Sequence, residues 1–382
     1  MPEDYSIRTV EKICEISATD WNSCCEDDHP FVSYEFLEAL EKSGCATAET
    51  GWMPQHLVLE KGGKIVGVAP QYIKGHSQGE YVFDHSWADA YERAGGRYYP
   101  KLQLSVPFSP VTGPRFLCGA GPDKAHKKSL LALGAKQVAV KYGLSSVHIT
   151  FMPQDDLLLL EECGYHIRTG EQFHWVNDAY TTFDDFLSQL SSRKRKAIRR
   201  ERKGANSQGF EFEILTGNDI KPAHWDAFFT FYMDTGARKW GMPYLNRDFF
   251  NILQQNMPDA LLLIMVKREG RYIAGALNLI SSDCLYGRYW GCLEDHKFLH
   301  FETCYYRAID YAITHNIARV EAGAQGPHKL ARGYLPTKTY SAHWMQDPGF
   351  HDAVGGFLIT ETKDIDAELT YLEKLSPFKN KG

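Results

Sequence analysis

Two polar segments in the last quarter of the chain hold the side chains best suited to chemistry. They supply imidazole, carboxylate and phenol groups, the usual general acids and bases near neutral pH. The candidates for catalysis are His300, Glu302, Tyr305, Glu321 and His328. Transfer of an acyl group to an amine needs a base, a proton donor and a polarised carbonyl, and this set is adequate for it.

Cationic and polar residues accompany this set and are candidates for binding a substrate or an acyl donor. Two glycines, Gly323 and Gly326, would let backbone N–H groups approach an anion closely. The binding candidates are Gln325, Lys329, Arg332, Arg195, Arg199, Arg238, Trp290 and His343. Arg238 lies in a basic and aromatic turn, for which a lid over the site and ordinary core packing are both open interpretations.

The stretch from residue 284 to 334 predicts the elements that would position these groups, in the order strand, loop, helix, strand, loop. An aromatic β-rich run covers 285–290, a helical apolar face covers 303–315, and a short apolar strand covers 318–322. In such a unit the two loops lie at one rim, so we expect residues 295–302 and 321–332 to meet there. Within this scheme His300 and Glu302 precede the helix.

Two other chemistries are open for the same residues. His296, His300, Glu302 and Cys304 lie within nine residues, but they lack the spacing of a zinc-binding helix. Cys304 beside His300 could be a nucleophile, although a cysteine on a helix face is usually packed in the core. We therefore expect neither a metal nor a covalent intermediate.

The composition is that of a globular protein of 382 residues, long enough for two domains. The net charge of −6 argues against general affinity for DNA. Nine scattered cysteines are typical of a reducing compartment. The N-terminus does not resemble an export signal, and no apolar run is long enough for a membrane span. We expect a cytoplasmic protein; the sequence leaves its oligomeric state open.

Two weak internal matches predict that the chain contains one plan twice. A strand–glycine turn–strand segment at residues 56–73 returns at 261–280, with an offset of 208 residues. The strand containing Val147 matches the strand containing Val320, with an offset of 173. The first copy therefore holds extra residues, which we place around 81–117 and interpret as a long functional loop.

A strongly basic segment lies between the two copies. It continues an amphipathic helix that begins near Phe183, and it carries eight basic residues and one acidic residue between Arg193 and Lys203. The ordinary interpretation is a solvated helix face. The alternative is that Arg195 and Arg199 contact phosphates of a donor molecule.

Several long segments resemble one family of bacterial proteins. In the C-terminal half these are LHFETCYYRAI and EAGAQGPHKLARGY, and in the N-terminal half HSWADAYERAGGRYYPKLQ and PFSPVTGPRFL. They are similar to predicted N-acyltransferases described as peptidoglycan biosynthesis or recognition proteins, related to the Fem-type peptidyltransferases of the GNAT superfamily. The resemblance implies an α+β fold of tandem GNAT-like domains, each a mixed, mostly antiparallel sheet flanked by helices.

The domains that this implies are residues 1–182, a basic helical connector at 183–204, and residues 205–382 with the active site. The expected function is transfer of an acyl or aminoacyl group from an activated donor to an amine in cell-wall metabolism. A non-catalytic protein that recognises a cell-wall or amino-sugar compound is the alternative.

Two donors remain open. Common GNAT enzymes hold the pyrophosphate of acetyl-CoA or another acyl-CoA in a glycine-rich loop before the helix. Here no glycine lies between Cys292 and Thr303. Acyl-CoA would therefore bind differently, or the donor is an aminoacyl-tRNA, whose acceptor end would then be a partner.

Overall fold

The computed structural model describes residues 5–239, 243–323 and 326–379. The strands are β1 (Tyr5–Val10), β2 (Trp52–Pro54), β3 (His56–Lys61), β4 (Lys64–Ala69), β5 (Gln71–Lys74), β6 (Lys101–Leu104), β7 (Ser146–Met152), β8 (His166–Val176), β9 (Phe210–Thr216), β10 (Leu261–Arg268), β11 (Arg271–Ile280), β12 (Cys284–Cys292), β13 (Arg319–Glu321) and β14 (Leu335–Met345).

The helices are α1 (Ala18–Asn22), α2 (Tyr34–Lys42), α3 (His85–Arg93), α4 (Lys124–Tyr142), α5 (Leu157–Glu162), α6 (Phe183–Gln189), α7 (Ser192–Asn206), α8 (Pro222–Lys239), α9 (Arg247–Asn256), α10 (Leu299–Phe301), α11 (Arg307–Thr314) and α12 (Pro348–Lys374). A π-helical turn, Glu302–Tyr306, joins α10 to α11. None of the described helices is both long and apolar enough to cross a bilayer.

The described residues form two compact units. The first unit contains residues up to 171 together with 338–368, and the second contains 172–337 together with the residues from 369 onward. These bounds differ from the predicted domains, because residues 338–368 pack with the first unit. The predicted connector, 183–204, belongs to the second unit.

The first unit has two sheets and a core beneath α4. Strands β1, β3 and β4 form an antiparallel sheet, and β2, β5, β6, β7 and β14 lie side by side in the other. Apolar residues of α4, such as Leu131 and Ala135, pack with Leu57, Val147 and Ile149. Burial of these side chains removes apolar surface from water, the main driving force of folding.

The second unit is a mixed sheet with helices on both faces. Its strand order is β8, β13, β12, β11, β10 and β9, and only β12 and β13 are parallel. On one face α11 buries Ile309 against Leu285 and Val320. On the other face α8 lies so close that a Cβ at Gly291 of β12 would be 2.4 Å from the carbonyl carbon of Phe231. The glycine is required at this contact.

The two units repeat one order of strand pairing. In the first, β1, β3 and β4 pair antiparallel in that order, β5 pairs antiparallel with β6, and β6 pairs parallel with β7. In the second, β9, β10 and β11 repeat the antiparallel trio, β11 pairs antiparallel with β12, and β12 pairs parallel with β13. The predicted internal repeat is confirmed.

The last strand of each copy completes the sheet of the other copy. Strand β14, at the end of the second copy, pairs with β7, which places His343 opposite His148. Strand β8, at the end of the first copy, pairs with β13, which places His174 opposite Glu321. This exchange explains why residues 338–368 leave the predicted C-terminal domain.

Three local predictions need correction. The helix predicted from residue 303 begins at Leu299, after Phe298 with a φ of +70°, so His300 and Glu302 lie in the helix and not before it. The basic helix is not continuous with the preceding one, because Leu190 is extended and pairs with Phe378. The segment at 81–117 is not merely a loop, since it contains α3 and β6.

Candidate active site

The two central strands of the second unit separate at the site. Tyr286 of β12 and Glu321 of β13 are the last residues in parallel register. Strand β13 ends there, whereas β12 continues to Cys292. Beyond this point β12 lacks its β13 neighbour, so the end of β13 and the following turn lie beside the free edge of β12. The polar residue Glu321 therefore ends its strand at the opening, as predicted.

A β-bulge directs an arginine towards this opening. Gly287 and Tyr289 of β12 oppose consecutive residues of β11, which leaves Arg288 as the extra residue. Bulges re-aim side chains and are common beside active sites. The Arg288 guanidinium lies 3.5 Å from a carboxylate oxygen of Glu321, and both side chains are 1% exposed. Glu321 also lies 3.4 Å from Nε of Arg319.

A histidine lies on the other side of Glu321. His174 is directly opposite Glu321 in the antiparallel pair of β8 with β13. Its Nε2 lies 3.1 Å from the side-chain oxygen of Gln172. Burial lowers the pKa of His174, and the Glu321 carboxylate partly opposes that effect. His174 therefore favours the neutral form.

Tyr305 and His328 form the pair most suited to proton transfer. The Tyr305 oxygen lies 2.9 Å from Nε2 of His328. Tyr305 belongs to the π-helical turn, a feature frequent at functional sites, and its ring is buried. Burial raises the pKa of Tyr305, so the phenol stays protonated. His328 is exposed, and burial of part of its ring together with the charges of Arg332 and Lys329 lowers its pKa.

Lys329, the next residue, is an almost fully buried amine. Its Nζ donates to the carbonyl oxygen of Gly323 at 2.9 Å, and the residue is 2% exposed. Burial, reinforced by the charge of Arg288, lowers the pKa of Lys329 to about 7. Among the described residues, no carboxylate lies within ion-pair distance of this amine.

Aromatic contacts bring the two predicted loop segments together. The ring of His300 lies 5.3 Å from the ring of Trp290 and 6.3 Å from that of His328, between centroids. Phe301 lies 5.9 Å from His328, and the Arg332 guanidinium stacks 3.4 Å above Phe301. The predicted meeting of the segments is confirmed for His300 and Phe301 with His328 and Arg332.

The carboxylate of Glu201 joins the basic helix α7 to Arg332 and Tyr306. Glu201 of α7 accepts hydrogen bonds from Arg332 at 2.9 Å and from the hydroxyl of Tyr306 at 2.5 Å. Arg332 also donates to the carbonyl of His328 at 2.7 Å. Arg332 thus fixes the backbone that carries His328.

Glu302 makes a different set of contacts from those expected of a catalytic base. It is fully buried and lies 3.2 Å from Arg202 and 3.0 Å from Arg307. Arg202 also pairs with Asp310. These ion pairs join α7 to the start of α11, so Glu302 has a structural role in this geometry.

Other predicted residues lie apart from the pair of Tyr305 and His328. Arg195 and Arg199 lie on α7, where Arg199 pairs with Asp184. Arg238 donates to the carbonyl of Cys292 at 2.6 Å. His343 belongs to the first unit, and Gln325 lies outside the described residues.

His296, His300 and Glu302, which are close in sequence, contact different neighbours in the structure. His296 lies 2.7 Å from Glu294 and packs on Phe210 at the start of β9. Glu302 instead faces arginines, and His300 packs on Trp290. The described part of the chain holds no group of three or more histidine, cysteine or acidic residues placed to bind a metal.

The first unit contains a separate buried polar cluster. Nζ of Lys101 donates to Ser77 at 2.8 Å, to Glu80 at 2.7 Å and to Asp84 at 2.5 Å. Tyr98 donates to Asp84 and lies 3.3 Å from His148. His343 lies 2.7 Å from His148, between Nδ1 atoms. The binding candidate His343 therefore belongs to this sealed network.

Sequence reasoning missed Arg288, His174 and Glu201. A signal existed for Arg288, since it interrupts the aromatic run LYGRYWG as Glu321 interrupts its own strand. His174 could be found only from the strand exchange. Glu201 is the acidic residue within the basic segment, and its significance depends on the packing of α7.

Comparison with known proteins agrees with this architecture. The FemAB-like family, described as peptidoglycan biosynthesis/recognition, matches residues 12–380. A crystal structure of FemX is 13% identical over 89% of this chain and 98% of its own, with a TM-score of 0.56. L-PGS from Bacillus licheniformis is 11% identical over 88% and 97%, with a TM-score of 0.53.

A third structure, the C-terminal domain of a putative lysylphosphatidylglycerol synthetase from Agrobacterium fabrum, is 9% identical. The match covers 91% of this chain and 94% of that one, with a TM-score of 0.53. None of the curated proteins compared matches the chain. At these identities the structures show the fold, and they confirm the predicted class of tandem GNAT-like α+β domains. The family match spans almost the whole sequence, and the chain belongs to the FemAB-like family of peptidoglycan biosynthesis or recognition proteins.

Proposed function

We propose that the protein is an N-acyltransferase that moves an acyl or aminoacyl group from an activated ester or thioester to an amine, in peptidoglycan-related metabolism. The observation that carries the proposal is the 2.9 Å contact between Tyr305 and His328 at the opening between β12 and β13. Family membership supports the cell-wall setting.

The reaction needs one proton removed from the acceptor and one delivered to the leaving group. The amine nitrogen attacks the carbonyl carbon, a C–N bond forms, and the C–O or C–S bond of the donor breaks. In the tautomer with Nε2–H donating to Tyr305, Nδ1 of His328 accepts the amine proton. Tyr305 gives its proton to the leaving oxygen or sulfur and is reprotonated from Nε2.

The environments of the two residues suit these roles. His328 is exposed and has a lowered pKa, so it is an unprotonated base at neutral pH. Tyr305 is buried and has a raised pKa, so it keeps its proton until the leaving group needs it. A base and an acid whose pKa values are set apart by their surroundings are a usual sign of acid–base catalysis.

Two features favour an aminoacyl-tRNA over acyl-CoA as the donor. The loop before α10 carries Glu294 and Asp295 and lacks glycine, so it is a poor fit for a pyrophosphate. Helix α7 presents exposed cations, including Arg199 and Lys203, and contacts the site through Glu201. We assign the phosphates of the donor to this helix and its acyl ester to the opening. Both aminoacyl-tRNA and acyl-CoA are therefore tested as donors.

Product formation tests the proposal. Purified protein is incubated with acetyl-CoA, longer acyl-CoAs or a set of aminoacyl-tRNAs, and with amino acids, amino sugars and peptidoglycan precursors as acceptors. Mass spectrometry should detect an N-acylated or N-aminoacylated product. His328→Asn should lower turnover by roughly 10²-fold or more.

His315→Asn is the matched control, because His315 is exposed at the end of α11 and stacks on Tyr311, away from Tyr305. It should leave turnover unchanged. Ligand binding with no product from any donor would support the alternative, a non-catalytic protein that recognises a cell-wall compound.

A further inference from the structure

Among the described residues around the end of β13, cationic side chains outnumber acidic side chains by one. Arg319 lies 3.1 Å from Asp283, and Arg288 lies 3.5 Å from Glu321, so each arginine has an acidic neighbour. The third cation, Lys329, donates to the Gly323 carbonyl, and none of the described acidic residues lies within ion-pair distance of it. When Lys329 is protonated, the opening therefore carries one positive charge in excess.

Burial makes this excess charge significant. Lys329 is 2% exposed, and the side chains of Arg288 and Glu321 are 1% exposed. A buried ammonium without an anion is costly, because the interior solvates it less well than water does. A singly charged anion placed beside Lys329 would balance the site, whereas a phosphate monoester carries ~1.5 to 2 negative charges at neutral pH and would exceed the balance.

From this arrangement we propose that the opening binds a carboxylate, and that the acceptor is an amine whose carboxylate lies close to the amino group, as in a free amino acid. The proposal rests on the proposed function, since it names the acceptor class of the same site. Lys329 would hold one carboxylate oxygen as a point charge, and Arg288 would add a planar donor.

The position of Lys329 in the chain supports this assignment. His328 and Lys329 are adjacent, and Arg332 holds the His328 carbonyl at 2.7 Å. Within the proposal, a carboxylate held by Lys329 leaves the amino group of the acceptor to be directed towards His328, the adjacent residue in the chain. Such orientation is a main source of rate enhancement in two-substrate reactions.

A binding experiment separates this claim from catalysis. N-acetylglycine carries a carboxylate and no amine, so it cannot be an acceptor, and N-acetylglycinamide is its neutral counterpart. Calorimetric titration and thermal shift with each probe measure carboxylate binding without turnover. We expect wild-type protein to bind N-acetylglycine roughly tenfold or more tightly than the amide.

Lys329→Met is the main variant, because methionine has a similar length and removes a buried charge without leaving an unpaired one. It should lose the preference for N-acetylglycine. Lys221→Met, at an exposed lysine before α8, should retain it. Arg288→Lys is a second variant that keeps the charge beside Glu321 but loses the planar fork, and it should weaken N-acetylglycine binding by a smaller factor.

Each outcome decides one claim. Equal or absent binding of the two probes, or an unchanged preference in Lys329→Met, overturns the carboxylate site even if an amine such as an amino sugar is acylated. A carboxylate preference that depends on Lys329, without product from any donor, supports the carboxylate site and counts against the transferase. With turnover present, glycine should be acylated in preference to amines that lack a carboxylate.

Discussion

The amine of Lys329 donates a hydrogen bond of 2.9 Å to the carbonyl oxygen of Gly323, and the residue is 2% exposed. Its pKa in the folded state is lowered to about 7, against about 10.4 for an unfolded lysine. Between these values the unfolded chain binds a proton that the folded chain does not. The contribution of Lys329 to the free energy of unfolding should therefore rise with pH in this range, by at most about 1.4 kcal/mol per pH unit.

Lys329→Met removes this dependence. Urea unfolding at several pH values from 6 to 10 should show the variant most stabilised relative to wild type at pH 6, with the difference shrinking as pH rises through 7 and beyond. Lys221→Met should show no such trend. If the difference in unfolding free energy between Lys329→Met and wild type were the same at every pH, the assignment of Lys329 as a buried amine with a lowered pKa would be contradicted.

Glu302 should prove to be a structural residue. Glu302→Gln leaves Arg202 and Arg307 without their buried carboxylate, and breaking such a pair costs about 3–5 kcal/mol. Chemical denaturation of purified variants measures this loss. Glu294→Gln alters a more exposed pair with Arg268 and should cost less than about 1 kcal/mol. Equal losses in the two variants would exclude the structural role.

Two buried lysines in the first unit should respond very differently to the same substitution. Lys101 holds Glu80 and Asp84 together, so Lys101→Met leaves two carboxylates facing one another and should cost about 3–5 kcal/mol. Lys74 approaches Glu80 only to 3.8 Å, and burial lowers its pKa to about 7.

Lys74→Met should therefore cost only about 1 kcal/mol at pH 8, close to the value of its hydrogen bond to the Gln78 carbonyl. Urea unfolding of both variants under one condition provides the comparison. If the ranking were reversed, the ion pairing described for Lys101 would be incorrect.

Helix α7 should control donor binding through its charge. Replacing Arg195 and Arg199 by glutamine should weaken binding of an aminoacyl-tRNA. The slope of the logarithm of the binding constant against the logarithm of salt concentration should become less steep by about 0.7 for each lost phosphate contact. Filter binding at several salt concentrations measures both effects. Arg247→Gln, at the start of α9, is the control. An unchanged slope would remove α7 from the donor site.

The sequence predicted the second unit well where local pattern decides structure. The run from Cys284 to Tyr334 folds in the predicted order of strand, loop, helix, strand and loop. Hydrophobic periodicity is a local property, so one sequence reveals it. The family resemblance supplied the fold class, and the structure confirms it.

Features that depend on distant contacts were beyond a single sequence. The exchange of β8 and β14 between copies pairs His174 with Glu321, 147 positions apart, and His148 with His343, 195 positions apart, and no local pattern records it. It moved His343 into the first unit and brought His174 beside Glu321. Glu302 was predicted to be catalytic because its type and position were suitable, but only packing shows that two arginines enclose it.

The most direct test of the proposed chemistry is a double-mutant cycle on Tyr305 and His328. Turnover of the product-forming reaction is measured for wild type, Tyr305→Phe, His328→Asn and the double variant, with folding checked by circular dichroism. Residues that act as one proton relay are non-additive, so the double variant should be about as slow as the slower single variant. Additive losses, or single variants as active as wild type, would contradict the assignment of this pair as the reaction centre.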